Sequence, residues 1–185
     1  MNKFVSNITT ALILIFTQGL FFNNINFLGS INPFVYVFFI AYFPLKNNRT
    51  FFIFCGFFYG LIIDIFSDTH AIHAAATLVI SFLRPNLLKL FFGIAYEHQV
   101  VKFESIDLKQ NLLYIFSIIF IHHLILFGLE IFDFSKISLI LKNTFSSSIF
   151  TFVVIYILFE LILNRKKWEK FFYFWLLFQH LWFLY

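Results

Sequence analysis

Apolar runs of 13 to 22 residues follow one another through this chain, separated by short gaps that hold nearly all of its charge. In lipid no water meets an exposed backbone amide, so a chain built of such runs must satisfy its backbone internally, and helices do this within one segment. Only 12% of the 185 residues are charged, against about 25% in an ordinary soluble domain. The expected class is therefore an all-α, polytopic integral membrane protein. No soluble stretch is long enough to bury a core of its own. The 33 phenylalanines carry little mechanistic information, because lipid-facing bulk accounts for them.

Six segments are expected. The first runs from Ile8 to Phe22, extendable to Phe4, and reads as a retained helix, since no small-x-small cleavage pattern follows it. The second, Ile31 to Leu45, begins with Asn-Pro and closes on Pro44, with both prolines near its ends where a missing donor is tolerated. The third is Phe51 to Phe66, with Gly56 and Gly60 four apart, a small-xxx-small spacing that lets a neighbouring backbone approach. The fourth, Ala71 to Leu83, opens on three alanines and ends at Arg84-Pro85, after which Asn86 to Ile94 continues as an interfacial helix. A hydrophilic stretch, 95 to 110, precedes the fifth segment, Asn111 to Phe132. A mildly amphipathic loop, Asp133 to Asn143, leads to the sixth, Thr144 to Leu163.

With six spans, eleven of the lysines and arginines fall on one side, among them Lys46, Arg49, Arg84 and Arg165, and only Lys136 and Lys142 on the other. Positive residues mark the cytoplasmic side, so both termini are expected there. The same placement explains the net charge of +4 as a topology signal and gives no reason to expect a nucleic-acid partner. Residues 1 to 167 make the membrane domain. The aromatic tail 168 to 185, rich in Trp and Tyr, reads as lying on the inner leaflet, with a seventh span as the alternative.

The polar residues inside these runs are the candidates for function. An ionisable group at the bilayer centre costs at least about 2.5 kcal/mol, so Asp64 requires an explanation. The topology puts it near the outer end of the third segment, with Asp68, His70 and His73 in or beside the next turn. Two readings stand. Either the acids cap and solvate a helix hairpin, or Asp64 bonds a neighbouring helix and fixes a hairpin that a partner recognises. Asp68, His70 and His73 do not match helical metal-ligand spacing, so no metal site is assigned. His122 and His123 read as intramembrane groups that bond across helices. Glu130, near the outer end of the fifth segment, and Glu160, near the inner end of the sixth, sit at opposite faces with no acidic residue between them in either helix and do not make a proton path. Cys55 is the only cysteine, so no intrachain disulfide forms. No nucleotide loop, His-Glu-x-x-His pair or activated cysteine is present, and neither a catalytic residue nor a cofactor is expected.

The stretch from Gly60 to Thr69, GLIIDIFSDT, followed by His70 to Ala76 and by Phe82-Leu83-Arg84-Pro85, resembles the rod shape-determining MreD family, in its Bacteroidota-type version. Asn32-Pro33-Phe34-Val35-Tyr36 is similar to that family's start of the second helix. Ala71 departs from the pattern, which has glycine in the turn. The resemblance implies a non-catalytic inner-membrane scaffold of the cell-elongation complex, which binds MreC. With MreC it joins MreB filaments to a RodA-type glycosyltransferase and a class B penicillin-binding protein. It also implies a fold similar to the substrate-binding subunit of energy-coupling-factor vitamin transporters, and a vitamin-type binding subunit is the rival function. A binding subunit should carry a polar or aromatic pocket opening outward; the short outer loops, poor in donors, favour the scaffold. Gly56, Gly60, Asp64, Asp68, His73, Arg84 and Pro85 are the expected organisers of the hairpin and its inner end.

Overall fold

The structure, a computed structural model, describes residues 3–25, 31–43, 48–93 and 107–163. Six helices are present: α1 (Lys3–Leu20), α2 (Val37–Tyr42), α3 (Arg49–Ser67), α4 (Ile72–Phe92), α5 (Leu108–Ile131) and α6 (Ile137–Leu163), with no strand among the described residues. Four spans, α3, α4, α5 and Phe134–Leu158, are long and apolar enough to cross a membrane. The chain is a helical membrane protein. Residues 1–152 form one compact unit, in which α4 packs between α3 and α5, α2 lies on α4 and α5, and α1 lies on α3 and α2. Residues 153–185 form a second unit, described as far as residue 163 and helical there. The aromatic tail, the basic cluster at 165–167 and most of the stretch 95–110 lie outside the described residues.

The starts and stops of α3 follow from local chemistry. Asn48 caps it, its Oδ1 accepting the amide of Phe51 at 3.2 Å. It ends at Asp68, which takes a left-handed conformation (φ 53) that asparagine and aspartate accept more readily than most residues. Three residues later Ala71 is left-handed too, at φ 60. The turn therefore does demand a glycine-like backbone at Ala71, and alanine occupies it under strain.

Three expectations need correcting. The second segment is not a helix from Ile31 to Leu45. Helix is confined to Val37–Tyr42, six residues rising about 9 Å, while residues 32–36 are non-helical and Pro33 to Tyr36 are buried. Such backbone is tolerated at membrane depth only where protein surrounds it and supplies its partners. The fourth segment does not stop at Leu83. Helix α4 continues through Pro85 for 21 residues and closes at Gly93, at φ 85. Proline removes one helical donor but does not end a helix whose flanks are packed, and the continuation gives about 31 Å, a full crossing. Finally, α6 begins at Ile137 and includes most of the expected loop. Asp133 opens the preceding 3-10 turn by accepting the amide (3.0 Å) and hydroxyl (2.7 Å) of Ser135. Those bonds, with Lys136 at 3.4 Å, hold its carboxyl below the usual range. The polar residues that suggested a loop are the exposed side of the helix's first turns, where Ile140 is buried.

Gly56 and Gly60 do serve close approach of α3 to α4. A Cβ on Gly56 would meet the side chain of Ser81. One on Gly60 would lie 2.6 Å from the His73 carbonyl oxygen and 2.7 Å from the Ala74 Cα, backbone atoms that cannot move aside. Gly60→Ala is expected to lower stability by about 1–3 kcal/mol through overpacking. Gly128→Ala, where a Cβ meets nothing within 4 Å, should leave it unchanged or slightly higher, as read by thermal unfolding in detergent. Ala71→Gly should raise the same midpoint, with a gain of up to about 1 kcal/mol from relief of the left-handed alanine.

Candidate functional site

The cap position of helix α4 is Ala71, which has no side chain able to cap the helix's free amides. The cap comes from another helix. Asp64 of α3, only 3% exposed, accepts the amide of His73 through Oδ1 at 2.9 Å and that of Ala74 through Oδ2 at 2.8 Å. Thr69 donates its hydroxyl to Oδ1 as well. A carboxylate placed on two amides at a helix N-terminus meets both a charge-assisted hydrogen bond and the favourable end of the dipole. The intramembrane acid is thereby accounted for, as the lock between α3 and α4.

With the first turn of α4 fixed, His73 points into the bundle, where its Nδ1 lies 2.7 Å from the Tyr36 hydroxyl. The same hydroxyl lies 2.7 Å from His122 Nε2 of α5. Tyr36 has one O–H, so it donates to one imidazole while the other imidazole donates to its oxygen; since one ring meets it through Nδ1 and the other through Nε2, both neutral rings carry their proton on the same kind of nitrogen. His123 is fixed independently. Its Nδ1 donates to the Ile119 carbonyl at 2.7 Å, which leaves Nε2 to accept the Thr151 hydroxyl at 3.2 Å. Thr151 in turn accepts the amide of Phe34 at 3.0 Å.

These side chains hold the non-helical stretch. Gln18 of α1 accepts the Val35 amide through Oε1 at 2.8 Å and donates through Nε2 to the Pro33 carbonyl at 3.1 Å. Tyr59 reaches the Tyr36 carbonyl at 3.4 Å. Three helices, α1, α3 and α6, thus supply polar groups to a backbone segment that lacks its own ladder.

Arg84, 1% exposed, is inside the bundle because α4 runs on past it. Its Nε donates to the Tyr114 hydroxyl at 3.2 Å, Tyr114 donates to the Ala41 carbonyl at 3.0 Å, and the guanidinium carbon lies 5.0 Å from the centre of the Phe52 ring. The arginine therefore ties the end of α2 to α3, α4 and α5. It does not mark the end of α4, as the sequence suggested, and Pro85 sits within the same helix.

The remaining expected residues lie at the rim. Asp68 and His70 are exposed, whereas His73 is buried, and no set of three His, Cys, Asp or Glu side chains among the described residues is placed to hold a metal ion. Beside the α3–α4 turn is a cavity of about 320 Å³, lined by Asn23, Asp68, Thr69, His73 and Glu130 with Phe34 and Phe66 among others. Its polar lining runs against the expectation of a turn region poor in hydrogen-bonding groups. Gln18 and Thr151 were not singled out by the sequence reading, and Tyr36 entered it only as the end of the Asn32–Tyr36 motif, with no role. The available signal was the same for each, a polar group within an apolar run.

Comparison of the chain with protein-family models, curated proteins and solved structures gives no match. The site is thus read from its own geometry.

Replacing Tyr36 by phenylalanine removes the shared partner of two buried imidazoles and leaves both with an unmet nitrogen. At about 1–3 kcal/mol per orphaned group, Tyr36→Phe should lower the unfolding midpoint markedly. Tyr156→Phe, at an exposed position, should not.

Proposed function

We propose that this protein is a non-catalytic membrane scaffold of the bacterial cell-elongation machinery, of the MreD kind. It sits in the inner membrane with both termini cytoplasmic. In this reading it binds an MreC-like protein and, with it, joins MreB filaments to a RodA-type glycosyltransferase and a class B penicillin-binding protein. Its overall arrangement is taken to be similar to the substrate-binding subunit of energy-coupling-factor transporters.

One observation carries the reading. The residues through which the chain resembles that family are spent on fastening: Gly60 on backbone contact, Asp64 on capping α4, His73 and Tyr36 on each other, and Arg84 on Tyr114. A rigid hairpin is what a binding platform needs, and the eleven-to-two charge asymmetry supports the orientation.

A second reading, a small-molecule-binding subunit of a vitamin-type transporter, is favoured by the cavity at the α3–α4 turn. The two differ in what depletion does. Depletion in the native cells is expected to turn rods into spheres, whereas normal shape with lost vitamin uptake would favour the transporter. In crosslinked pull-downs from membranes, Asp64→Ala should reduce capture of the MreC-like partner at equal expression. Unchanged capture would remove Asp64 from the assembly argument.

A further inference from the structure

Two neighbouring imidazoles on α5 are treated differently by the fold. His123 spends both nitrogens, Nδ1 on the Ile119 carbonyl and Nε2 on the Thr151 hydroxyl. His122, fully buried beside it, spends one. Its Nε2 meets Tyr36, whereas its Nδ1 is buried with no hydrogen-bond partner among the described residues. An unmet polar atom in a packed interior is a cost that calls for an explanation.

From that nitrogen a continuous line of bonds leads to the cavity beside the α3–α4 turn. His122 Nε2 lies 2.7 Å from the Tyr36 hydroxyl, and the same hydroxyl lies 2.7 Å from His73 Nδ1. His73 is itself one of the residues lining the cavity. Both separations are short enough for a proton to pass. An imidazole can accept a proton on one nitrogen and release one from the other, which makes it the usual side chain for a proton shuttle. Phe34 stands against all three imidazoles, its ring centre 5.4 Å from His73, 6.5 Å from His122 and 5.2 Å from His123, so an apolar face flanks the line. The titratable groups around it are otherwise engaged or remote from the bundle interior. Asp64 grips the amides of His73 and Ala74, Tyr59 bonds the Tyr36 carbonyl, and Asp68 and Glu130 are exposed at the cavity.

We propose that His73, Tyr36 and His122 form a proton wire between this cavity and the interior of the bundle. In one form both rings are protonated on Nε2, with His122 donating to the Tyr36 oxygen and Tyr36 donating to His73. Water gives a proton to His122 Nδ1. The His122 Nε2 proton then passes to the Tyr36 oxygen, the Tyr36 proton passes to His73 Nδ1, and His73 releases its Nε2 proton to water in the cavity. Three bonds to hydrogen form and three break. Both rings end neutral and protonated on Nδ1, and the reverse sequence restores the first form. The protein has no bond at His122 Nδ1 that would favour one form, and the Tyr36 hydroxyl serves both by turning round. His123 is the contrast, because the Ile119 carbonyl can only accept and so pins its proton on Nδ1. The wire goes beyond the scaffold reading and does not rest on it, so either can fail alone.

The test is nitrogen NMR of the full chain, labelled at histidine and held in lipid nanodiscs, which reads the proton position on each ring. In the parent protein the His73 and His122 nitrogens should resonate between the limits of the two tautomers and shift together as temperature changes. His123 should stay at the limit for a proton on Nδ1. Tyr36→Phe, which cannot pass a proton, should abolish the joint shift. Either ring fixed at one tautomer throughout, rings that shift independently in the parent, or a joint shift that survives in Tyr36→Phe would each overturn the proposal. If the variant folds poorly, the parent spectra decide alone, since a network that only fastens the helices holds both rings in one form.

Discussion

The structure depends on one constraint, that no backbone polar group buried in a membrane protein goes unmet, and the contact that best expresses it is Asp64 on the first amides of α4. A helix beginning after a tight turn exposes several amides. In water they would bond solvent, and in most helices a Ser, Thr or Asp at the cap serves. Here the cap position is Ala71, and the acceptor is delivered from the preceding helix. That makes the cap a tertiary contact: α4 cannot begin properly unless α3 is in place. The close approach over Gly60 brings the two helices near enough for this carboxylate to reach.

The same constraint explains residues 32–36. Without a helical ladder, this segment is held by Gln18 from α1, Tyr59 from α3 and Thr151 from α6, while its own Tyr36 reaches His73 of α4 and His122 of α5. Each neutral bond contributes only about 1 kcal/mol net, but the loss of any one leaves a buried group unmet. The helices are therefore coupled through a stretch that has little structure of its own. Asp64 belongs to this chain at one remove, since the amide it grips is that of His73.

Much of this was legible. Helices α1, α3 and α5 follow from apolar runs bounded by polar residues, with ends within a few positions of those expected. Asp64 was visible as an anomaly, and the four-residue glycine spacing pointed to close packing. Even the awkward Ala71 was marked by the glycine expected there. What failed has one cause. Apolar runs report burial, and burial is not helicity: Pro33 to Tyr36 are as apolar as a helix and are buried, but the Phe34 and Val35 amides bond side chains from other segments. Conversely, Arg84-Pro85 looked like an end because charge and proline usually are one, whereas Phe52 and Tyr114 make a place for the arginine within the bundle. Both errors concern contacts between residues far apart in the chain, which spacing along it does not encode.

The division between spent and unspent polar groups separates fold from function. Asp64, Gln18, His123 and Thr151 have partners that account for their placement, so their presence in apolar segments needs no chemistry beyond stability. Asp68 and Glu130 are different: exposed at the rim of the cavity beside the α3–α4 turn, they form no ion pair among the described residues and are not part of that fastening.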